Sequence, residues 1–122
     1  MMRRAILALL LASVQAHAQT VVIYSRLDQL QAQRAHQLAA VYGPAVIDRQ
    51  LLPGQPWRLT VQRAICGADR VLLLWSARAA ASAEVRREID SALVCGTAIQ
   101  PVLLDDTPLP GLVGDVQAVD WR

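Results

Sequence analysis

Lysine, phenylalanine and asparagine are missing from this chain altogether. All 12 basic residues are therefore Arg, and Arg3 and Arg4 alone account for the formal net charge of +2. The rest of the chain balances its arginines with carboxylates, so neither nucleic acid nor an anionic membrane surface is implied as a partner. Cysteine is scarce. Cys66 and Cys95 have no histidines at ligand spacing, which argues against a zinc site or any other metal. The plainer reading makes them small buried residues near helix C-termini, although export would permit a disulfide. Of the two histidines, His17 lies near the N-terminus and His36 sits among Gln and Ala in mid-helix, where a solvated role is expected.

Motifs are missing too. No G-x-G-x-x-G or G-x-x-x-x-G-K-[ST] follows a strand, which removes the usual dinucleotide and phosphate cradles and leaves no cofactor implied. No G-x-S-x-G turn offers a nucleophilic serine. The longest early apolar run, Ala5 to Val14, is too short for a transmembrane helix, which needs about 20 residues. Preceded by Arg3 and Arg4 and closed by Ala16-His17-Ala18, it has the layout of a secretory signal peptide over residues 1–18, cleaved after Ala18. The mature chain, 19–122, is then a single domain, periplasmic or secreted. It is cytoplasmic instead if the start lies elsewhere.

From Thr20 onward, short apolar runs alternate with longer periodic segments. "TVVIY" (20–24) reads as a buried strand, and 27–43 as an amphipathic helix with Leu27, Leu30, Leu38 and Val41 on one side. "AVID" (45–48) is a second strand, followed by a loop at 49–56 with a Pro53-Gly54 turn. Residues 57–68 form a helix with Trp57, Val61, Ala64, Ile65 and Ala68 on one stripe. "RVLLLW" (70–75) is the best candidate for a central strand covered on both faces. Ser82 caps a helix that Gly96 ends. "AIQPVLL" (98–104) is a strand whose Pro101 favours an edge or an outgoing end, and "AVDW" (118–121) closes the chain. This order argues an α/β fold: a parallel sheet of about five strands flanked by helices, with a ligand crevice beyond the strands' carboxyl ends.

One residue breaks the pattern. In "SAEVRREIDSAL" (82–93), Val85, Ile89, Ala92 and Leu93 make a buried helical stripe, and Glu88 lies on or beside it. A carboxylate there is costly unless it is paired or faces a cleft. Topology brings the start of its helix to the same rim as Ser25, Arg26, Asp48 and Ser76, at the ends of the strands.

Taken in order, these pieces resemble a Toll/interleukin receptor (TIR) domain in its bacterial form. "YSRLD" (24–28) is similar to the family's first strand and its S-x-x-D exit. "VIDRQLLPGQPW" (46–57) is similar to its second strand, Pro-Gly loop and helix-opening Trp. "VLLLWS" (71–76) resembles the third strand, and "SAEVRREIDSALVCGTAIQPVLLDDTPLP" (82–110) the S-x-x-V-x-x-E-I helix with the I-x-P-V strand after it. The resemblance implies a flavodoxin-like TIR fold and signalling through association with other TIR domains, or with itself through the loop 49–56. It also implies an activity, the hydrolysis of NAD to nicotinamide and ADP-ribose. Glu88 stands at the family's catalytic position, and Ser25, Arg26, Asp48 and Trp57 at positions that place the substrate.

The sequence departs from that pattern at three points. Glu84 stands where an aromatic residue often precedes the catalytic glutamate by four, putting a like charge one turn from Glu88. Ile23 replaces the usual Ser before Tyr24. The family's final helix, which covers the sheet face shared with the 27–43 helix, has no counterpart, so an apolar patch is expected there. Two further readings stay open beside the enzyme: a non-catalytic interaction module, and a truncated, inactive domain.

Overall fold

The computed structural model describes residues 19–41, 43, 45–47, 57–114 and 116–122. Residues 1–18, where a leader is expected, Asp48 and the segment 49–56 lie outside the described residues.

Five parallel strands form one sheet: β1 (Thr20–Ile23), β2 (Ala45–Ile47), β3 (Arg70–Trp75), β4 (Ala98–Leu103) and β5 (Val119–Asp120), in the order β2-β1-β3-β4-β5. Val21 pairs with both Val46 and Val71, and Val71 in turn with Ile99. Such a sheet needs crossovers, and right-handed connections fix the side on which each helix lies. From β1 the chain steps one way to β2, which puts α1 (Gln29–Ala40) on one face. From β2 to β3 and from β3 to β4 it steps the other way, which puts α2 (Trp57–Gly67) and α4 (Ala83–Cys95) together on the opposite face. A one-turn helix, α3 (Ala77–Ala80), which the sequence had shown only as a lead-in to α4, is capped by Ser76.

The cores follow from strand alternation. Val21, Ile23, Val71, Leu73 and Trp75 point to the α2/α4 face, where they meet Val61 and Ile65 of α2 and Val85, Ile89 and Ala92 of α4. Val22, Tyr24, Leu74 and Val102 point the other way, onto Ala32 and Ala35 of α1. The 70–75 strand is central and inward-facing residues on both sides of it are buried, as its apolar run predicts.

The stripe of α1 differs from expectation. Its sheet-facing residues are Ala32, Ala35 and Ala39, whereas Leu27, Leu30 and Val41 are 70%, 79% and 77% exposed and Leu38 is 48% exposed. Alanines let the helix backbone settle close to the sheet, and the leucines occupy the far side. His36 is half-buried, and its Nε2 donates to the carbonyl of Ala45 at 2.9 Å, so it ties α1 to β2 instead of being solvated. Among the described residues α1 is the sole helix on this face. Leu72, Leu104 and Trp121 complete it only in part, with Arg34 stacked 4.7 Å from the Trp121 ring centre.

Pro101 lies inside a paired strand, yet its missing N–H has a structural reason. Leu104 N–H donates to Trp75 on the β3 side, and the carbonyl of Leu103 accepts from Trp121 on the β5 side, so odd-numbered residues of β4 face β5. The pairing with β5 begins only at Val102. The nitrogen of Pro101 therefore faces a stretch where no ladder has started, and β4 is locally an edge.

The cysteines depart most from the plainer reading. Cys66, in the last turn of α2, and Cys95, the last residue of α4, form a disulfide with a Cα–Cα distance of 5.3 Å, and Cys95 is solvent-exposed. Gly96 then ends α4 in a left-handed conformation (φ +69°), and Thr97 Oγ1 donates to the carbonyl of Ile65 at 2.9 Å. The two helices are thus joined twice at their C-terminal ends.

Candidate functional site

Helices α2 and α4 run side by side and both start at the carboxyl edge of the sheet. Ser82 caps α4 by accepting a hydrogen bond from the N–H of Val85 at 3.2 Å, and Glu84 sits in the first turn, where the helix dipole favours a carboxylate. From that start, the four-residue step carries Glu88 onto the side of α4 that meets α2. Glu88 is 7% exposed, and it is not without an interaction partner. The burial that the stripe argument flagged is therefore real, and the residue is not an ordinary solvated helix-edge carboxylate.

Glu88 lines a groove of about 180 Å³ between the two helices. Val61 and Ile65 form its apolar floor, Arg58 and Gln62 stand on the α2 wall, and Glu84, Arg87 and Ser91 join Glu88 on the α4 wall. Arg58 is the second residue of α2 and Glu84 the second of α4, so both line the end of the groove at the helix starts, while Gln62, Glu88 and Ser91 lie further along the helices. Arg86 turns to the other side of α4, where it donates to the carbonyl of Ala80 and borders a second cavity of about 340 Å³ beside Trp75 and Pro108.

The other expected site residues divide. Trp57 opens α2, one residue before Arg58. Ser25 is buried, and its hydroxyl accepts from the N–H of Leu27 at 3.3 Å, capping a 3-10 turn at Arg26–Asp28. Arg26 is exposed, and neither Ser25 nor Arg26 lines the groove with Glu88. Ser25 and Arg26 belong instead to a polar rim at the ends of β1, β3 and β4. There the buried Asp28 accepts from Ser76 Oγ at 2.5 Å and lies 3.6 Å from Arg78, which also donates to the carbonyl of Leu27. Ser76 Oγ in turn accepts from the N–H of Ala79. Asp105 closes the rim. Its carboxylate is held below the usual range by hydrogen bonding to Thr107, then by the N–H of Ala77.

Sequence reasoning found Glu88 and missed Arg58, Gln62 and Ser91. A signal for them existed. Glu84, Arg87, Glu88 and Ser91 repeat at three, four and seven residues, and Arg58 and Gln62 at four, each a polar stripe beside an apolar one. Among the described residues no cluster of His, Cys, Asp or Glu is arranged to hold a metal, and no helix is long and apolar enough to cross a membrane.

Comparison with known proteins places this arrangement. No curated protein matches the sequence. Among solved structures, the TIR domain of the Toll-related receptor TRR-2 from Hydra magnipapillata superposes with a TM-score of 0.73 at 16% identity, covering 84% of this chain and 82% of that one. A 2-deoxyribosyltransferase from Bacillus psychrosaccharolyticus superposes with a TM-score of 0.66 at 13% identity, covering 86% of each chain. At these identities both show a shared fold. The TIR domain family description matches residues 21–122, and the chain belongs to that family.

Proposed function

We propose that this protein signals through association with other TIR domains and hydrolyses NAD to nicotinamide and ADP-ribose with Glu88 as its catalytic residue. The observation that carries the enzymatic reading is a buried carboxylate in a solvent-open groove between two helices. In the reaction, the bond between C1′ of the ribose and the ring nitrogen breaks, and its electron pair returns to the pyridinium as neutral nicotinamide. Water adds at C1′ and releases a proton. The leaving group needs no acid because it already carries the charge it must lose. What the protein must supply is a negative group near the oxocarbenium-like ribose, which is the task of Glu88. The 2-deoxyribosyltransferase among the fold neighbours is named for transfer of a deoxyribosyl group. That is an analogy in fold, and no residue role is taken from it.

Association is assigned to the loop 49–56, with a second copy or another TIR domain as partner. Export is proposed from the leader at 1–18, and the Cys66–Cys95 disulfide supports it, because such bonds persist in oxidising compartments. NAD would then be met outside the producing cell's cytoplasm. A second reading, a TIR module without chemistry, is favoured by one observation: Glu84, not an aromatic residue, lines the groove one turn before Glu88.

The test is NAD consumption by the purified, disulfide-intact protein at high concentration, beside Glu88→Ala, with folding checked by circular dichroism. The expected outcome is loss of NAD in wild type and a fall of about 10²–10³-fold in the variant. Folded wild type that spares NAD would leave the binding module.

A further inference from the structure

The Glu88 groove carries charge of both signs in an arrangement that the hydrolysis of NAD does not by itself require. Glu84 and Arg58 hold equivalent places in the first turns of the two walls, and both line the groove. Arg87 adds a second guanidinium on the α4 wall, beside Glu88. At about 180 Å³, the groove is smaller than the roughly 300–1,000 Å³ that holds a drug-sized ligand. It can enclose only part of a dinucleotide, and the charged side chains along its edges are what the remainder meets.

NAD is itself a dipole, with a pyridinium cation on one ribose and a pyrophosphate on the other side of that ribose. We propose that the groove recognises its substrate by this charge separation, with Glu84 facing the cationic base and Arg58, assisted by Arg87, facing the pyrophosphate. This rests on the reading of the groove as an NAD site and adds to it the means of selection. Glu84 then takes over by charge what a stacked aromatic ring would do by contact. A neutral base gains nothing from Glu84. A base that carries its own carboxylate is repelled by it.

The consequence is that the two charged halves of the substrate depend on different residues. Glu84 and Arg58 act by binding the substrate's charges, so they are specificity residues and Glu88 remains the catalytic one. Substitution of Arg58 should raise KM with little change in kcat, whereas substitution of Glu84 should raise KM and also raise kcat somewhat, because the base loses its charge as the bond breaks. The effect of each is modest because both side chains reach solvent, about fivefold, and it shrinks as salt is raised.

Three probes separate the halves: 1-methylnicotinamide as a permanent cation, nicotinamide as its neutral counterpart, and ADP-ribose as the anion. Their binding to the full, disulfide-bonded chain is followed by NMR titration. Wild type should bind 1-methylnicotinamide about fivefold more tightly than nicotinamide. Glu84→Gln should abolish that preference and leave ADP-ribose binding intact or improved, and Glu84→Asp should restore it in part. Arg58→Gln should weaken ADP-ribose alone. Equal binding of the two bases by wild type, equal loss of both halves in either variant, or no binding of any probe would overturn the proposal. If the probes behave as expected while NAD is not consumed, the charge-selective groove stands and hydrolysis falls. If NAD is consumed and the variants do not discriminate, hydrolysis stands and the dipole reading falls.

Discussion

The two faces of the sheet are built on different principles. On one, α2 and α4 bring Val61, Ile65, Val85 and Ile89 down onto β1 and β3, a covalent bond joins the helices, and a groove runs between them. On the other, α1 docks alone among the described residues through Ala32, Ala35 and Ala39, and its large apolar side chains face outward. Branched side chains hold helices off a sheet and leave room between neighbours for a cleft. Alanines bring a single helix close and leave no such room. The side that carries the candidate chemistry is also the side with more apolar volume and a cross-link, as a site that must keep a fixed geometry requires.

The comparison can be broken most severely at the disulfide. On the loop-closure account, a bridge spanning 29 residues contributes about 3–4 kcal/mol. Cys66→Ser, or reduction of wild type, should therefore lower the denaturant midpoint markedly. The loss should be concentrated on the α2/α4 face, so hydrogen exchange should quicken in those helices more than in α1. Equal loosening of both faces would show that the bridge does not act locally. Next in size is Ala35→Leu. Ala35 is 1% exposed against the sheet, and the added volume has to push α1 away, at a cost of about 1–3 kcal/mol in thermal or chemical unfolding. A neutral result would mean that the close alanine docking is not needed. The smallest effect belongs to Leu30→Gln. With Leu30 79% exposed, unfolding free energy should stay within about 0.5 kcal/mol while solubility rises. A large destabilisation would mean that the ridge is covered.

How far the sequence could be read follows from the same contrast. Where large apolar residues lie on the buried side, as with Val61 and Ile65 or Val85 and Ile89, periodicity pointed to the right face and exposed Glu88 as the exception. In α1 two stripes share one helix, one of leucines and one of alanines, and hydropathy favours the larger residues. Tertiary docking chose the smaller ones. The cysteine pair was illegible for another reason. Nothing local to Cys66 or Cys95 says that two helices, separated by a strand, will finish side by side. The edge expected of Pro101 was sound, but it holds for the first part of β4, from Ala98 to Pro101, and not for the end that pairs with β5. The groove's polar lining was available as two short stripes, and it became a site only when α2 and α4 were placed together. Asp48 and the loop 49–56 lie outside the described residues, so their expected roles rest on the resemblance.

The direction of the strands has one more consequence. All five run the same way, so β1 starts at the end of the sheet where α2 and α4 finish and are bridged, and Arg58 and Glu84, at the helix starts, stand at the opposite end of the groove. Gln19, hydrogen-bonded to Asp69, stands at that bridged end. A domain held at its N-terminal side would therefore carry Arg58 and Glu84 at the end away from its support.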